Sequence, residues 1–292
     1  MTIADLSLFS SLGSSLDSTE NNLQQIEIDL ATGKDVNQPS DNPTAYAGAQ
    51  VLNAEQSAIS NDLLLGQQTQ SQLNTASSAL SNVSDAINSA LSIATEGSNG
   101  ILSSSAMQAL GSQVQSIQEE VIGAANSQYG GVYLFGGDQV QTPPYSAAGA
   151  YSGSAATNSV TFSNGTAVQT NVDGLAVFGD NSTGLIATLG ALASALNSGN
   201  QSAVAAALTQ LQAALATVAT AQGSLGANLT AANSVVNNVP GQGTTLQASL
   251  QNLVGTDVAQ AAAQEQEGLL QQQALVSLGS ELEKIPLINI LA

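Results

Sequence analysis

The chain has 292 residues, enough for about two domains at ~150 residues each, and it contains no His, Cys or Trp. Two basic residues, Lys34 and Lys284, stand against 21 Asp and Glu for a formal charge of -19. These counts remove the thiolate nucleophile, the imidazole base, the Cys/His zinc site and haem ligation, so catalysis is the poorer reading and no cofactor is expected. Two lysines so far apart make no basic patch, so neither nucleic acid nor an anionic membrane surface is an expected partner.

The first 22 residues carry acids and no basic n-region, and Ser interrupts their apolar residues, unlike a cleavable secretory signal. No window approaches ~18 consecutive apolar residues, so no membrane span is expected. If the protein leaves the cell, it does so by another route.

Leu12, Leu16, Leu23, Ile26 and Leu30 form a heptad-like stripe. Ser14 and Asp17 have capping-box spacing, so this helix starts there or runs through from Asp5. Gly33 is placed to cap its C-terminus. The stretch to Pro43 holds two prolines and several Asx and Ser residues and reads as a shaped connector, with Asn42-Pro43 opening the next helix.

That helix, Thr44 to Thr95, carries Leu73, Ala76, Leu80, Val83, Ile87, Ala90 and Ala94 in alternating steps and would extend about 75 Å at 1.5 Å per residue. Residues 96–100 break it, and Met107 to Ala124 mark a further helix. The run from Gly130 to Gly137 reads as strand-like, and Ser159–Phe162, Ala167–Val172 and Leu175–Phe178 read as successive hairpin strands around Asn164-Gly165 and Asp173-Gly174. Helical spacing returns at Leu185 to Leu196 and holds from Val204 to Val236; Pro240-Gly241-Gln-Gly243 is expected to interrupt it before a last amphipathic stretch from Leu246 to Leu282.

The expected fold is therefore mainly α, a long-helix rod with terminal coiled-coil helices and a small β-rich insertion. Its expected divisions are 1–42 with 246–292 as the terminal domain, 43–137 with 184–245 as the long-helix bundle, and 138–183 as the outer β-rich part. Candidate chemistry is thin. Asp35, Asn37 and Asp41 suggest calcium ligands, but Ser40 stands where an EF-hand needs Gly and no acid closes the loop, so a turn role is favoured. Glu119-Glu120 and Glu281 to Lys284 read as solvated helix charges.

The segment Leu30-Ala-Thr-Gly33-Lys34-Asp-Val-Asn37-Gln-Pro39-Ser40-Asp41-Asn-Pro43 resembles the connector of bacterial flagellins and hook-filament junction proteins, typically Leu-Ser-Ser-Gly-Lys-Arg-Ile-Asn-Arg-Pro-Ser-Asp-Asp-Pro. Asp35 and Gln38 depart from it, standing where basic residues are usual. Tyr129-Gly130-Gly131-Val-Tyr133-Leu-Phe135-Gly136-Gly137 is similar to a Tyr/Gly run of the junction proteins that flagellins usually lack. The stretch from Leu246 to Ala292 is similar to the terminal helix of both, although its ending, Ile285 to Leu291, departs from their Leu-rich tail.

The resemblance implies a structural flagellar subunit, exported unfolded through the type III apparatus with a chaperone and without signal cleavage, and located outside the cell. It implies assembly with copies of itself, with the hook-side junction protein and with flagellin. Flagellin itself is the close alternative, and a secreted enzyme a remote one. The residues expected at the subunit interface are Leu16, Leu23, Ile26 and Leu30 with Leu250, Leu253, Leu275, Leu278 and Leu282. At -19 like subunits repel, so assembly is expected to improve with salt or mild acid.

Overall fold

The computed structural model describes residues 3–99 and 102–283, with side chains described over 7–99 and 102–281. Helix α1 spans Ile3–Thr32 and ends at Gly33, whose φ of +67° lies in the left-handed region that favours glycine. Ser14 does not start this helix. Its hydroxyl donates back to the Ser10 carbonyl at 3.0 Å, in the helix interior. Helix α2, Pro43–Gly97, opens with Pro43 at its first position and the Asn42 side chain accepting from the Ala45 N–H at 3.1 Å. Helix α3, Ser104–Ala125, is capped by Ser103, which accepts from the Ala106 N–H.

Two short hairpins follow. Strands β1, Gln128–Tyr129, and β2, Val132–Tyr133, pair antiparallel across Gly130-Gly131; β3, Ser159–Thr161, and β4, Ala167–Gln169, pair across a turn containing Asn164-Gly165. Helices α4, Gly174–Phe178, α5, Gly184–Ser198, α6, Gln201–Val254, and α7, Val258–Glu283, complete a mainly α fold with a small β-rich insertion.

Three local expectations are corrected. Leu175–Phe178 is a helical turn, not a strand, because the Asp173 carboxylate accepts from the Leu175 and Ala176 N–H groups at 2.9 and 3.3 Å and Gly179 stops the turn at φ +70°. Strand pairing around Gly130-Gly131 stops at Tyr133, because Leu134 to Gly137 turns inward and is buried. Pro240 does not interrupt α6. A proline removes one backbone donor, and the buried Val235 and Val239 beside it hold the helix in register.

The chain divides into two compact units, residues 1–58 with 241–292 and residues 59–240. In the second, Gly97 lies against Leu196 and Val204, Gly66 against Val236, and the Gln70 amide donates to Asn233 at 2.7 Å, so α2 and α6 run antiparallel there. Leu73, Leu80, Val83 and Ile87 of α2, and Val204, Leu211, Val218 and Leu225 of α6, are their buried faces. Helix α3 packs on α5, with Gln118 donating to the Ile186 carbonyl at 2.9 Å. Residues 138–183 fall inside this unit, and the β3–β4 hairpin is held on α2 through Asp62, whose carboxylate accepts from the Ser163 N–H, and Gln72, which donates to Thr170 O.

By length and composition alone, α6 is long and apolar enough to cross a membrane. Its apolar content follows from a heptad stripe buried on neighbouring helices plus exposed alanine, with Gln210, Gln212, Thr217 and Thr220 interleaved.

Candidate assembly surfaces

The connector is a built turn within the first unit. Past Gly33 the chain pairs with the α6–α7 junction: Asp35 N–H donates to Val254 O at 2.9 Å and Thr256 N–H to Gly33 O at 3.1 Å, with Lys34 bridging Gly255. Asp41 then folds the turn by accepting from the Asn37 and Gln38 N–H groups, both at 2.9 Å. Those two bonds, Gln38 first, hold its carboxyl below the usual carboxylate range. The Asn37 amide donates to Asp29 Oδ1 at 3.0 Å and to Lys34 O at 2.9 Å, fixing the connector to the end of α1. Pro39 and Ser40 are exposed at the tip. Asp41 thus serves the turn, and the unusual Asp35 and Gln38 contribute backbone bonds.

Beneath the connector, Val36, Ala45, Ala49 and Val254 form a small apolar cluster covered by Tyr46 and Leu250. Leu253 lies beside Gly48. Of the expected interface leucines, Leu250 therefore packs on the connector side within the chain, while Leu253 touches Gly48 and stays 38% exposed. The sequence signal for this cluster, Val36 against an Ala-Tyr-Ala-Gly-Ala run, is too short to show periodicity.

Helices α1 and α7 pack on each other. Leu12 meets Gly279, the Gln272 amide donates to Glu20 at 3.3 Å, and Leu23 meets Gly268, where an added Cβ would stand 2.7 Å from its Cδ2. These pairs run in opposite directions along the two helices, so the pairing is antiparallel, and its register sets Leu16 opposite Leu275. Leu23 is buried; Leu16, Ile26, Leu30 and Leu275 are half-buried; Leu278 is 56% exposed. The side chain of Leu282 lies outside the described residues, as does the Ile285 to Leu291 ending.

One pair of helices cannot cover its own apolar surface. Leu8, Phe9 and Ile28 of α1 and Val258, Leu269, Leu270, Val276 and Leu278 of α7 are exposed. Among the described residues, the large exposed apolar side chains all lie in the first unit except Leu64 and Leu175. Exposed apolar side chains concentrated in this way make the α1–α7 pair the candidate contact surface.

The Tyr/Gly run is a packing device of the second unit. Gly130 and Gly131, at φ +59° and +83°, make the two-residue hairpin turn that requires left-handed backbone at both positions. Phe135 is fully buried and meets Phe178 edge-on at 5.0 Å. Gly136 and Gly137 allow Gln139 and Ser154 to approach closer than a Cβ would permit. The sequence did not mark Tyr145 as core, yet its ring lies tilted against Tyr151 at 5.0 Å and edge-on to Phe178 at 5.9 Å. Its hydroxyl reaches Gly174 O at 2.7 Å and Gly179 O at 2.9 Å, and burial pushes its ionisation well above the usual tyrosine range. Burial likewise pushes Tyr151 up to about 12. In the sequence Tyr145 follows Pro143-Pro144 at the start of a turn-rich segment, with no spacing that marks its ring as core.

Residues 3–140 match the family described as the bacterial flagellin N-terminal helical region. The chain is 33% identical over 118 residues to flagellar hook-associated protein 3 of Escherichia coli, covering 40% of this chain and 37% of that protein. It is 33% identical over 126 residues to the Salmonella typhimurium protein of the same name, covering 42% and 40%. The matched segment thus spans well under half the length of these relatives. In fold it is similar to a flagellar hook-associated protein structure from Vibrio parahaemolyticus, with a TM-score of 0.67 at 20% identity over 74% of this chain and 100% of that one. It is also similar to Bacillus cereus FlgL, with a TM-score of 0.60 at 20% identity over 70% and 99%. Residues 3–140 thus match the flagellin N-terminal helical region, and the chain is similar to flagellar hook-associated protein 3 in sequence over about two fifths of its length and to flagellar hook-associated protein structures in fold.

Proposed function

We propose that this chain is a non-catalytic structural subunit of the bacterial flagellum that joins hook to filament and offers flagellin a surface on which to polymerise. The observation that carries the reading is the exposed apolar surface of α1 and α7, confined almost wholly to one of the two units. A helix pair with this much uncovered Leu and Val gains by packing on neighbouring subunits, at roughly 1.5–3 kcal/mol per side chain fully buried. On this reading Leu16, Leu23, Ile26, Leu30, Leu275, Leu278 and Leu282 line the contacts among terminal helices, with Leu250 and Leu253 supporting the connector behind them. The expected partners are copies of the chain, a hook-side junction protein, flagellin and an export chaperone; the expected location is the external flagellum, reached without signal cleavage. Three functional parts, 1–42 with 246–292, 43–137 with 184–245, and 138–183, remain the proposed division of labour.

Deleting the gene in its own organism tests this. The reading expects cells with hooks, no filaments, and flagellin released into the medium. Filaments of normal number and length on the deletion strain would refute it. A minor flagellin is the second reading, favoured by the connector; it expects filaments that persist but change in length or shape.

A further inference from the structure

Asn164 and Gly165 stand exposed in the turn between β3 and β4. In an Asn-Gly pair no Cβ hinders the approach of the second residue's nitrogen to the asparagine carboxamide. Gly165 takes φ +81°, and nothing lies within 4 Å of where its Cβ would stand. The carboxamide oxygen of Asn164 accepts from the Thr166 N–H at 2.9 Å, which draws electron density off the carboxamide carbon. One bond opposes reaction: the Gly165 N–H donates to Phe162 O at 2.9 Å, so the turn itself holds the nitrogen. From this we infer that Asn164-Gly165 is a self-modification site, a deamidating pair that the docked hairpin keeps closed and the undocked hairpin releases. The inference does not depend on the assembly reading.

The step needs no reagent but water. The Gly165 nitrogen, giving up its proton, bonds to Asn164 Cγ; the Cγ–Nδ2 bond breaks, and the amide nitrogen leaves with that proton as ammonia. Water then opens the five-membered imide at either carbonyl, leaving an aspartyl or an isoaspartyl linkage. Each event adds one carboxylate next to Ser163 and, on the isoaspartyl route, one extra backbone atom to the turn. An opening of the hairpin is thereby converted into a permanent covalent mark.

The gate is the docking of the two residues ahead of Asn164. The buried Asp62 carboxylate of α2 accepts from the Ser163 N–H at 3.0 and 3.2 Å, and Phe162 is buried beside Gly66. The Phe162 N–H closes the turn on Thr166 O at 2.9 Å, and the Phe162 carbonyl is the acceptor that restrains Gly165. Gln72 ties only the far end of β4, through Thr170 O, and leaves the tip to Asp62 and Phe162. Loss of the Asp62 bond frees Ser163 and Phe162 together, so local opening of the tip is the event that exposes the Gly165 nitrogen.

The test is peptide mass spectrometry of the full chain held at mildly alkaline pH, folded or in concentrated urea, resolving the Asn, Asp and isoaspartyl forms at residue 164. Asn99-Gly100, the other Asn-Gly pair of the sequence, is the reference. Conversion at Asn164 is expected to be about tenfold or more slower in the folded chain than in urea. Asp62→Ala is expected to speed it about fivefold or more in the folded chain, with the Asn99 rate and far-UV circular dichroism unchanged. Asp62→Asn, which keeps an oxygen for the Ser163 N–H, is expected to stay close to the parent. Equal rates folded and in urea, or no conversion in either, would overturn the inference, as would an Asp62→Ala chain no faster than the parent. Asp62→Asn as fast as Asp62→Ala would remove the hydrogen bond as the gate. Equal acceleration at Asn99, or loss of helix content in Asp62→Ala, would overturn the inference by making the opening global. None of these outcomes bears on where the protein sits in the flagellum.

Discussion

Phe135 offers the sharpest test of what the Tyr/Gly run does. Its side chain is fully buried, and its ring meets Phe178 edge-on at 5.0 Å and 88°. Truncating such a residue to alanine costs ~3–5 kcal/mol. Within that range the lost edge-to-face pair accounts for ~0.5–1.5 kcal/mol, so Phe135→Ala is expected near ~4 kcal/mol. Phe135→Leu keeps most of the volume and is expected to cost about 1.5 kcal/mol. Urea unfolding of the full chain reports this through near-UV circular dichroism, because four of the five tyrosines, Tyr129, Tyr133, Tyr145 and Tyr151, lie in the second unit. At ~2 kcal/mol/M the alanine variant moves the midpoint down by ~2 M and the leucine variant by less than ~1 M. A shift under ~0.5 M for alanine would mean that the run is not core, and equal shifts for both variants would mean a backbone disturbance instead of lost packing.

Tyr145→Phe removes the one hydroxyl proton shared between Gly174 O and Gly179 O and is expected to cost ~1–2 kcal/mol in the same assay; no change would show those carbonyls satisfied otherwise. Asp62→Ala frees the β3–β4 turn by ~1–3 kcal/mol, seen as at least about tenfold faster hydrogen exchange at the Ser163 amide; an unchanged rate would remove Asp62 as the anchor. Asp180, held at about 2 chiefly by the Ser182 hydroxyl and backbone N–H, has a folded pKa below its unfolded value. Its contribution is therefore fully present above about pH 4 and lost as pH falls through about 2. Asp180→Ala should melt below the parent at pH 5–7 and together with it below pH 2; a gap that persists in strong acid would contradict the assignment.

Much of this fold was legible because its signals are long or chemically specific. The α2 and α6 stripes repeat over many turns, and Gly33, Asn42-Pro43 and Asn164-Gly165 each have a stereochemical reason to stand where they do. Leu175–Phe178 misled because four apolar residues carry no period, and the capping carboxylate of Asp173 decided the matter. Pro240 misled because a single missing donor costs less than the packing of a 54-residue helix supplies around it. The aromatic core could not be read along the chain: Phe135, Tyr145 and Phe178 meet only after the second hairpin folds back. The antiparallel pairing of α1 and α7 could be expected from their stripes, but its register depended on Gly268 and Gly279, which no stripe contains.

The assembly account stands or falls on where the protein sits. Immunogold electron microscopy of whole flagella, with antibody raised against residues 138–183, reads this directly. The account predicts a narrow band of gold at the distal end of the hook; label distributed along the filament would contradict it and make the chain a flagellin.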